Sequence, residues 1–265
     1  MSWFERFLTL APNWQVFGLL IAIIVTAGTL LAAAVYRTVR WSGIELDQRS
    51  RDYAQVVYLG LFALTALMMT LSTLEARATI GKIGTKVKEE AFVIIHLDRL
   101  LTQYGPERTA EARKLLSEYA KAVVNEDWPL MRQGAPDGSP RVYDLLERLN
   151  GALAQLPETS SGLVDRMLED MNEIEQQHDD RIIAASDTCL PTLFWWLIGA
   201  LSSAVCVMAG LLIVRPVGFI FLGVKLTAIA LMVSFLAVMD GPFRGETSVS
   251  AEPIVFAIEY LSAAR

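Results

Sequence analysis

Histidine and cysteine are scarce in this chain, with two of each in 265 residues. His96 and His178 stand in no HExxH or CxxC ligand spacing, so no metal is expected. The chain also lacks a phosphate-cradling glycine loop and a GxSxG elbow, which leaves no catalytic constellation and no cofactor to expect. An enzyme is therefore not expected. Positive charge is short as well: the net charge is −6. Glu89, Glu90, Glu169, Asp170, Asp179 and Asp180 repel phosphates, which argues against a nucleic-acid partner. No stretch alternates apolar and polar residues as a strand would, so the fold class is all-α. A disulfide is not expected either. Cys206 lies inside a long apolar run and Cys189 at its mouth, where both read as small buried hydrophobes.

What the chain has instead is long apolar runs. Trp14–Tyr36, Val56–Leu74, Leu190–Val214 and Val217–Met239 each match the ~20 residues of helix that a bilayer core requires. A soluble core helix of ~10–14 residues would carry a polar face. Phe17 to Val35 is interrupted only by Gly and Thr, and Leu197 to Val214 only by Gly and Ser. The chain is an integral membrane protein with four transmembrane helices in two pairs, and a helical soluble domain stands between the second and the third. Hydrophobic residues reach 53%, yet charged residues are still 20% and concentrate in Glu75–Thr188. The expected organisation is a membrane segment at 1–74, a soluble domain at 75–189, a second membrane pair at 190–239, and a C-terminal tail with a short helix at 240–265. Trp3, Phe4, Phe7 and Leu8 at helical spacing predict a short interfacial helix before Pro12, not a cleavable signal.

The middle of the chain reads as helix. No proline occurs from Ala54 to Tyr104, and Ile80, Ile83, Val87, Ala91, Ile94 and Leu101 continue the three- and four-residue spacing past the membrane. The second span therefore runs unbroken into the soluble domain until Gly105-Pro106 stops it. Further helices are expected over Glu107–Asn125, over Val142–Leu156, and from a cap at Ser160 or Ser161 through the stripe Leu163, Met167, Met171, Ile174 and Ile182. Gln133–Arg141, with two glycines and two prolines, is a loop. Lys and Arg near the span ends are more numerous on the side of the middle domain. The positive-inside rule then places that domain and both termini in the cytoplasm.

Three features inside or near the membrane carry candidate chemistry. Lys225 lies well inside the fourth run, where a central cation costs ~2.5–3.5 kcal/mol on insertion scales. It either snorkels to the headgroups or faces a cavity or pore. Tyr58, Thr65, Ser72 and Thr79 form a seven-residue stripe on the second span, with Lys82 and Lys86 beyond it. Such a stripe serves helix–helix packing, or a pore that leads to a cationic mouth. Asp98 falls on the apolar face of the long helix, where it needs a partner such as Arg113 or Arg181 in a structural ion pair. His178 shares a face with Ile174 and Ile182, as a hydrogen-bonded structural histidine would.

The run Leu97-Asp98-Arg99, Tyr104-Gly105-Pro106-Glu107, Ala112-Arg113, Tyr119 and Trp128-Pro129 resembles the central signature of the bestrophin-like bacterial membrane proteins. Pro191 opening the third span, Arg215-Pro216 between the last two, and Asp240-Gly241-Pro242-Phe243 after the fourth are similar to the same family. The resemblance covers nearly the whole chain. It implies relation to bestrophins proper, which are pentameric anion channels whose second helix lines the pore. It also implies structural roles for Asp240, Pro242 and Phe243. The sequence departs from the animal pattern in the extra Gly241 and in Arg244, Glu246, Thr247 and Ser248, which stand where an acidic calcium-binding cluster would. The expected function is a homo-oligomer, pentameric by resemblance, in a bacterial cytoplasmic membrane. Its partners are the lipid bilayer and inorganic ions, and the ion pathway, for anions, runs around the second span. The alternative is a non-conducting membrane scaffold or sensor whose helical domain binds a partner protein.

Overall fold

The computed structural model describes residues 13–43, 47–134, 137–157, 162–245 and 248–263. The proposed interfacial helix before Pro12 and the Ser160/Ser161 cap lie outside these residues. The described chain is helical, with no strand among the described residues: α1 (Asn13–Ser42), α2 (Gln48–Tyr104), α3 (Ala110–Ala122), a π-helical turn (Val123–Asp127), α4 (Trp128–Arg132), α5 (Pro140–Ala154), α6 (Leu163–Ser186), α7 (Thr192–Leu212), α8 (Gly218–Met239) and α9 (Glu252–Ala263). Four of these helices are long and apolar enough to cross a membrane: α1 from Phe17, α2, α7 and α8.

The chain divides into two compact units. One holds the residues up to Arg77 together with Cys189–Asp240; the other holds Ala78–Thr188 and the residues from Gly241 onward. In the membrane unit α1 packs against both α7 and α8. Small residues bring these helices together, as membrane packing requires where lipid is as apolar as leucine. A Cβ on Gly210 would stand 2.6 Å from the Ala32 carbonyl oxygen, and one on Gly28 2.9 Å from Leu226 Cδ1. Around these contacts Ala32, Cys206, Ala209, Leu222 and Leu226 form the buried centre.

α2 has 57 residues and spans ~85 Å at 1.5 Å per residue. Nothing in Gln48–Tyr104 breaks it, and Gly105, at φ 140°, ends it. The Thr109 hydroxyl then donates to the carbonyls of Leu101 (2.8 Å) and Gly105 (3.0 Å), which occupies backbone acceptors the helix end leaves free.

In the helical unit α3 packs on α5 and α9, and α6 packs on α4 and α5. Ile94, Leu97, Leu101, Leu116, Met131, Leu149, Met167 and Met171 are fully covered in its core. α5 begins two residues before the sequence expectation, because Pro140 suits a first helical position and Ser139 Oγ accepts the Arg141 amide at 3.2 Å. The region beyond Asp240 is no separate tail. Phe243, Val249, Ile254, Ala257 and Leu261 are part of the helical unit's core.

Candidate functional site

The membrane part of α2 has one covered face and one open face. Thr65 and Ser72 are 1% and 0% exposed within a single chain, alongside Met69 and Ala76. Their hydroxyls donate back along the helix, Thr65 to the Leu61 carbonyl at 2.7 Å and Ser72 to the Met68 carbonyl at 2.9 Å. Both are expected from the sequence to line a pore or to serve helix packing, and their cover within one chain favours the packing use of the stripe. Of the other stripe positions, Tyr58 and Thr79 are partly covered.

The opposite face carries Gly60, Leu67, Leu74 and Gly81, again at seven-residue spacing, and all four are exposed. Among the described residues nothing outside the helix's own turns lies within 4 Å of where a Cβ on Gly60 or Gly81 would stand. Ala63, Thr70 and Arg77 flank this face and are exposed too. It is the mirror of the polar stripe, half a turn away, and sequence periodicity reveals it once the covered side is known.

Tyr58 and Lys225 are brought together. Lys225 Nζ sits 4.3 Å from the centroid of the Tyr58 ring and 5.4 Å from that of Phe62. The faces of two aromatic rings offset part of the cost of an ammonium at this depth, an effect worth ~2 kcal/mol when desolvated. Lys225 is thus neither fully covered nor fully open.

In the helical unit Lys82 is exposed, and Lys86 pairs with Asp180 Oδ2 at 2.5 Å. Asp98, 3% exposed, accepts from Arg113 Nε at 2.8 Å and from Arg113 Nη2 at 3.3 Å, a forked pair of the kind guanidinium geometry favours. Phe243 meets the Trp128 ring edge-on at 5.6 Å, and the Pro242 carbonyl accepts the Val249 amide at 2.9 Å. In the membrane unit Asp240 ties down the start of the third span. Its carboxylate accepts the Leu190 amide at 2.9 Å and Trp195 Nε1 at 3.3 Å, and its carbonyl accepts the Cys189 amide at 2.9 Å.

A buried polar cluster in the helical unit has no counterpart among the sequence expectations. Arg181 pairs with Glu90 through Nη1, approaches Asp127 Oδ2 at 3.4 Å through Nη2, and reaches His178 Nδ1 at 3.0 Å through the same nitrogen. Tyr119 donates to Glu90 Oε1 at 2.7 Å, and the Ser139 amide donates to Asp127 Oδ1 at 2.6 Å. The π-helical turn carries Asp127 into this interior. Burial works against the Arg181 charge, but Glu90, Tyr119 and Asp127 outweigh it and hold the guanidinium firmly ionised. Burial raises the Asp127 carboxyl against the opposing pull of the Ser139 amide and Arg181. Burial, with Arg181 beside it, pushes His178 down to about 3. Arg181 donates to His178 Nδ1, so that nitrogen is an acceptor and the ring is neutral. Among the described residues no group of three or more His, Cys, Asp and Glu could hold a metal ion.

A family model described as a Bestrophin-like domain matches residues 23–254. No curated protein matches the chain. Among solved structures, the chain is similar to a bacterial bestrophin homologue from Klebsiella pneumoniae. One single-residue variant of that protein has 14% identity and a TM-score of 0.55, covering 92% of this chain and 97% of the other. A second variant has 13% identity and a TM-score of 0.57, covering 92% and 98%. At such identity the solved structures establish the shared fold, and the domain match over most of the length establishes kinship. This chain belongs to the bestrophin-like family.

Proposed function

We propose that the protein assembles as a ring in the bacterial cytoplasmic membrane, a pentamer as its family resemblance implies, and passes anions along an axis bordered by α2. The helical unit and both termini then face the cytoplasm. The chemistry is transport, with no catalysed reaction. The observation that carries this reading is the open face of α2, where Gly60, Leu67, Leu74 and Gly81 lie in one row and are exposed among the described residues. In a ring such a row becomes an apolar constriction of the kind that gates by dewetting. Arg77, Lys82 and Lys88 are exposed beyond the leucines and would concentrate anions there.

Bilayer recording of the purified oligomer tests this reading. A charged thiol reagent should change the current of Leu67→Cys and leave that of Thr65→Cys unaltered. Reversing Lys82 and Lys88 to glutamate should move the reversal potential toward cations. That shift should fade with salt, because the Debye length is only ~8 Å at physiological strength. A purified oligomer that passes no current over a range of voltages and ions refutes the pathway. The helical unit is then better read as a partner-binding scaffold.

A further inference from the structure

A cavity of about 540 Å³ lies in the membrane unit, lined by Tyr58 of α2, by the end of α7, by the turn Ile213–Val217 and by the first turns of α8. Its size is that of a small-molecule site, for which ~300–1,000 Å³ is usual. Two charged side chains line it, Arg215 and Lys225, and both are cations. Neither forms an ion pair among the described residues. The rest of the lining is almost wholly apolar, and Val214, Val217 and Phe221 remain 59%, 56% and 67% exposed.

Two cations with no carboxylate, in a segment that spans a bilayer, call for an anion. From Gly218 to Lys225 the helix rises only ~10 Å, so the ammonium sits below the span's end within reach of the headgroup layer. Tyr58 and Phe62 fix it there by their ring faces. The exposed apolar side chains around the mouth select among anions. A free phosphate or carboxylate gains nothing from Val214 and Phe221, whereas an acyl chain covers them.

We propose that this cavity binds one acidic phospholipid per chain. Its phosphate lies between Arg215 and Lys225, and an acyl chain runs along Val214, Val217 and Phe221. This site is separate from the open face of α2 and does not depend on conduction.

Native mass spectrometry of the full-length protein, delipidated in uncharged detergent, provides the test. The probes are dioleoylphosphatidylglycerol, dioleoylphosphatidylcholine and glycerol 3-phosphate. One phosphatidylglycerol per chain should be retained, with affinity about tenfold or more above phosphatidylcholine, a preference of ~1.4 kcal/mol or more. Millimolar glycerol 3-phosphate should not displace it. Arg215→Gln and Lys225→Gln should each weaken retention several-fold, and Lys225→Arg should preserve it. Should Lys225→Gln fail to assemble, Arg215→Gln, at an exposed turn, and the comparison of headgroups on the unaltered protein still decide. Equal retention of the two lipids, or full retention in Arg215→Gln, overturns the proposal. Displacement by glycerol 3-phosphate also overturns it and leaves a free-anion site. None of these results bears on whether α2 borders a pore.

Discussion

Mild acid should destabilise the helical unit through His178. The ring is fully covered, and its Nδ1 accepts from Arg181 Nη2, so a proton arriving there must break that bond and sit beside a fixed guanidinium. Its folded pKa is lowered from 6.5 to about 3. The unfolded chain therefore binds more protons than the folded chain below 6.5, and stability falls as pH drops from that value toward 3. Each pH unit is worth ~1.4 kcal/mol for one such proton, so a shift from pH 6.5 to pH 5 removes ~2 kcal/mol. The groups that face the ring from other elements are Tyr119, Tyr143 and Asp127, whose Oδ2 lies 3.4 Å from Nδ1, with Arg181 on its own helix; Glu90 stands behind Arg181 and Tyr119. Of these Asp127 has the opposite sign. Its raised carboxyl contributes stability that is fully present below the ordinary carboxylate value of 3.8 and is lost as pH rises through its raised folded pKa, so the net slope in wild type is smaller than one full proton. The difference between wild type and His178→Gln isolates the histidine, since a glutamine amide still offers an oxygen to Arg181. Denaturant unfolding of the detergent-solubilised protein, followed by near-ultraviolet circular dichroism at pH 5 to 7.5, measures both slopes. His178→Gln should lose the acid sensitivity that wild type shows. If the variant keeps the wild-type slope, or wild type is flat from 6.5 to 5, the ring is not held neutral as argued.

Asp98→Ala should cost ~3–5 kcal/mol in the same unfolding measurement, because it leaves the Arg113 guanidinium without its buried carboxylate. Unchanged stability would mean that the pair is solvated. For orientation, a cysteine belongs at Asp137, which is exposed, and not at Gly138, which is covered and whose Cβ would press on Ile182 Cδ1 at 3.0 Å. In a background lacking Cys189 and Cys206, Asp137→Cys should resist a membrane-impermeant thiol reagent in intact cells. Ready labelling of sealed cells would invert the proposed topology.

The four spans and the unbroken second helix were legible because hydropathy over ~20 residues and the absence of proline act locally. The face of that helix was not. Tyr58, Thr65, Ser72 and Thr79 do share one side, but periodicity does not say which side is covered. The hydroxyls at Thr65 and Ser72 bond to their own helix, so they are polar in the sequence while making no demand on a channel. The Arg181 cluster was invisible for a different reason. Glu90, Asp127 and Arg181 come from three distant segments, and only the π-helical turn, for which the sequence carries no signal, brings Asp127 inward. Helix α9 shows the same limit: Ile254, Ala257 and Leu261 have helical spacing, yet nothing in that spacing says that they complete the core of the helical unit.

The two units are held by different interactions because their solvents differ. In the membrane unit lipid competes on equal terms for every leucine, so close approach at Gly28 and Gly210 supplies what apolar burial cannot. In the helical unit water drives a wide apolar core, and within that core Glu90, Asp127 and Arg181 are buried at a desolvation cost that a hydrophobic trio would avoid. Such a cluster adds little net stability while it is intact. It makes any arrangement that separates its members expensive, since each separation strands a charge away from water. The three charged members reach it from α2, the π-helical turn and α6, so it fixes the mutual placement of these segments more sharply than interchangeable leucines would. Acid therefore acts on the helical unit at His178 and Asp127, while the close helix packing of the membrane unit at Gly28 and Gly210 rests on contacts that carry no carboxylate or imidazole.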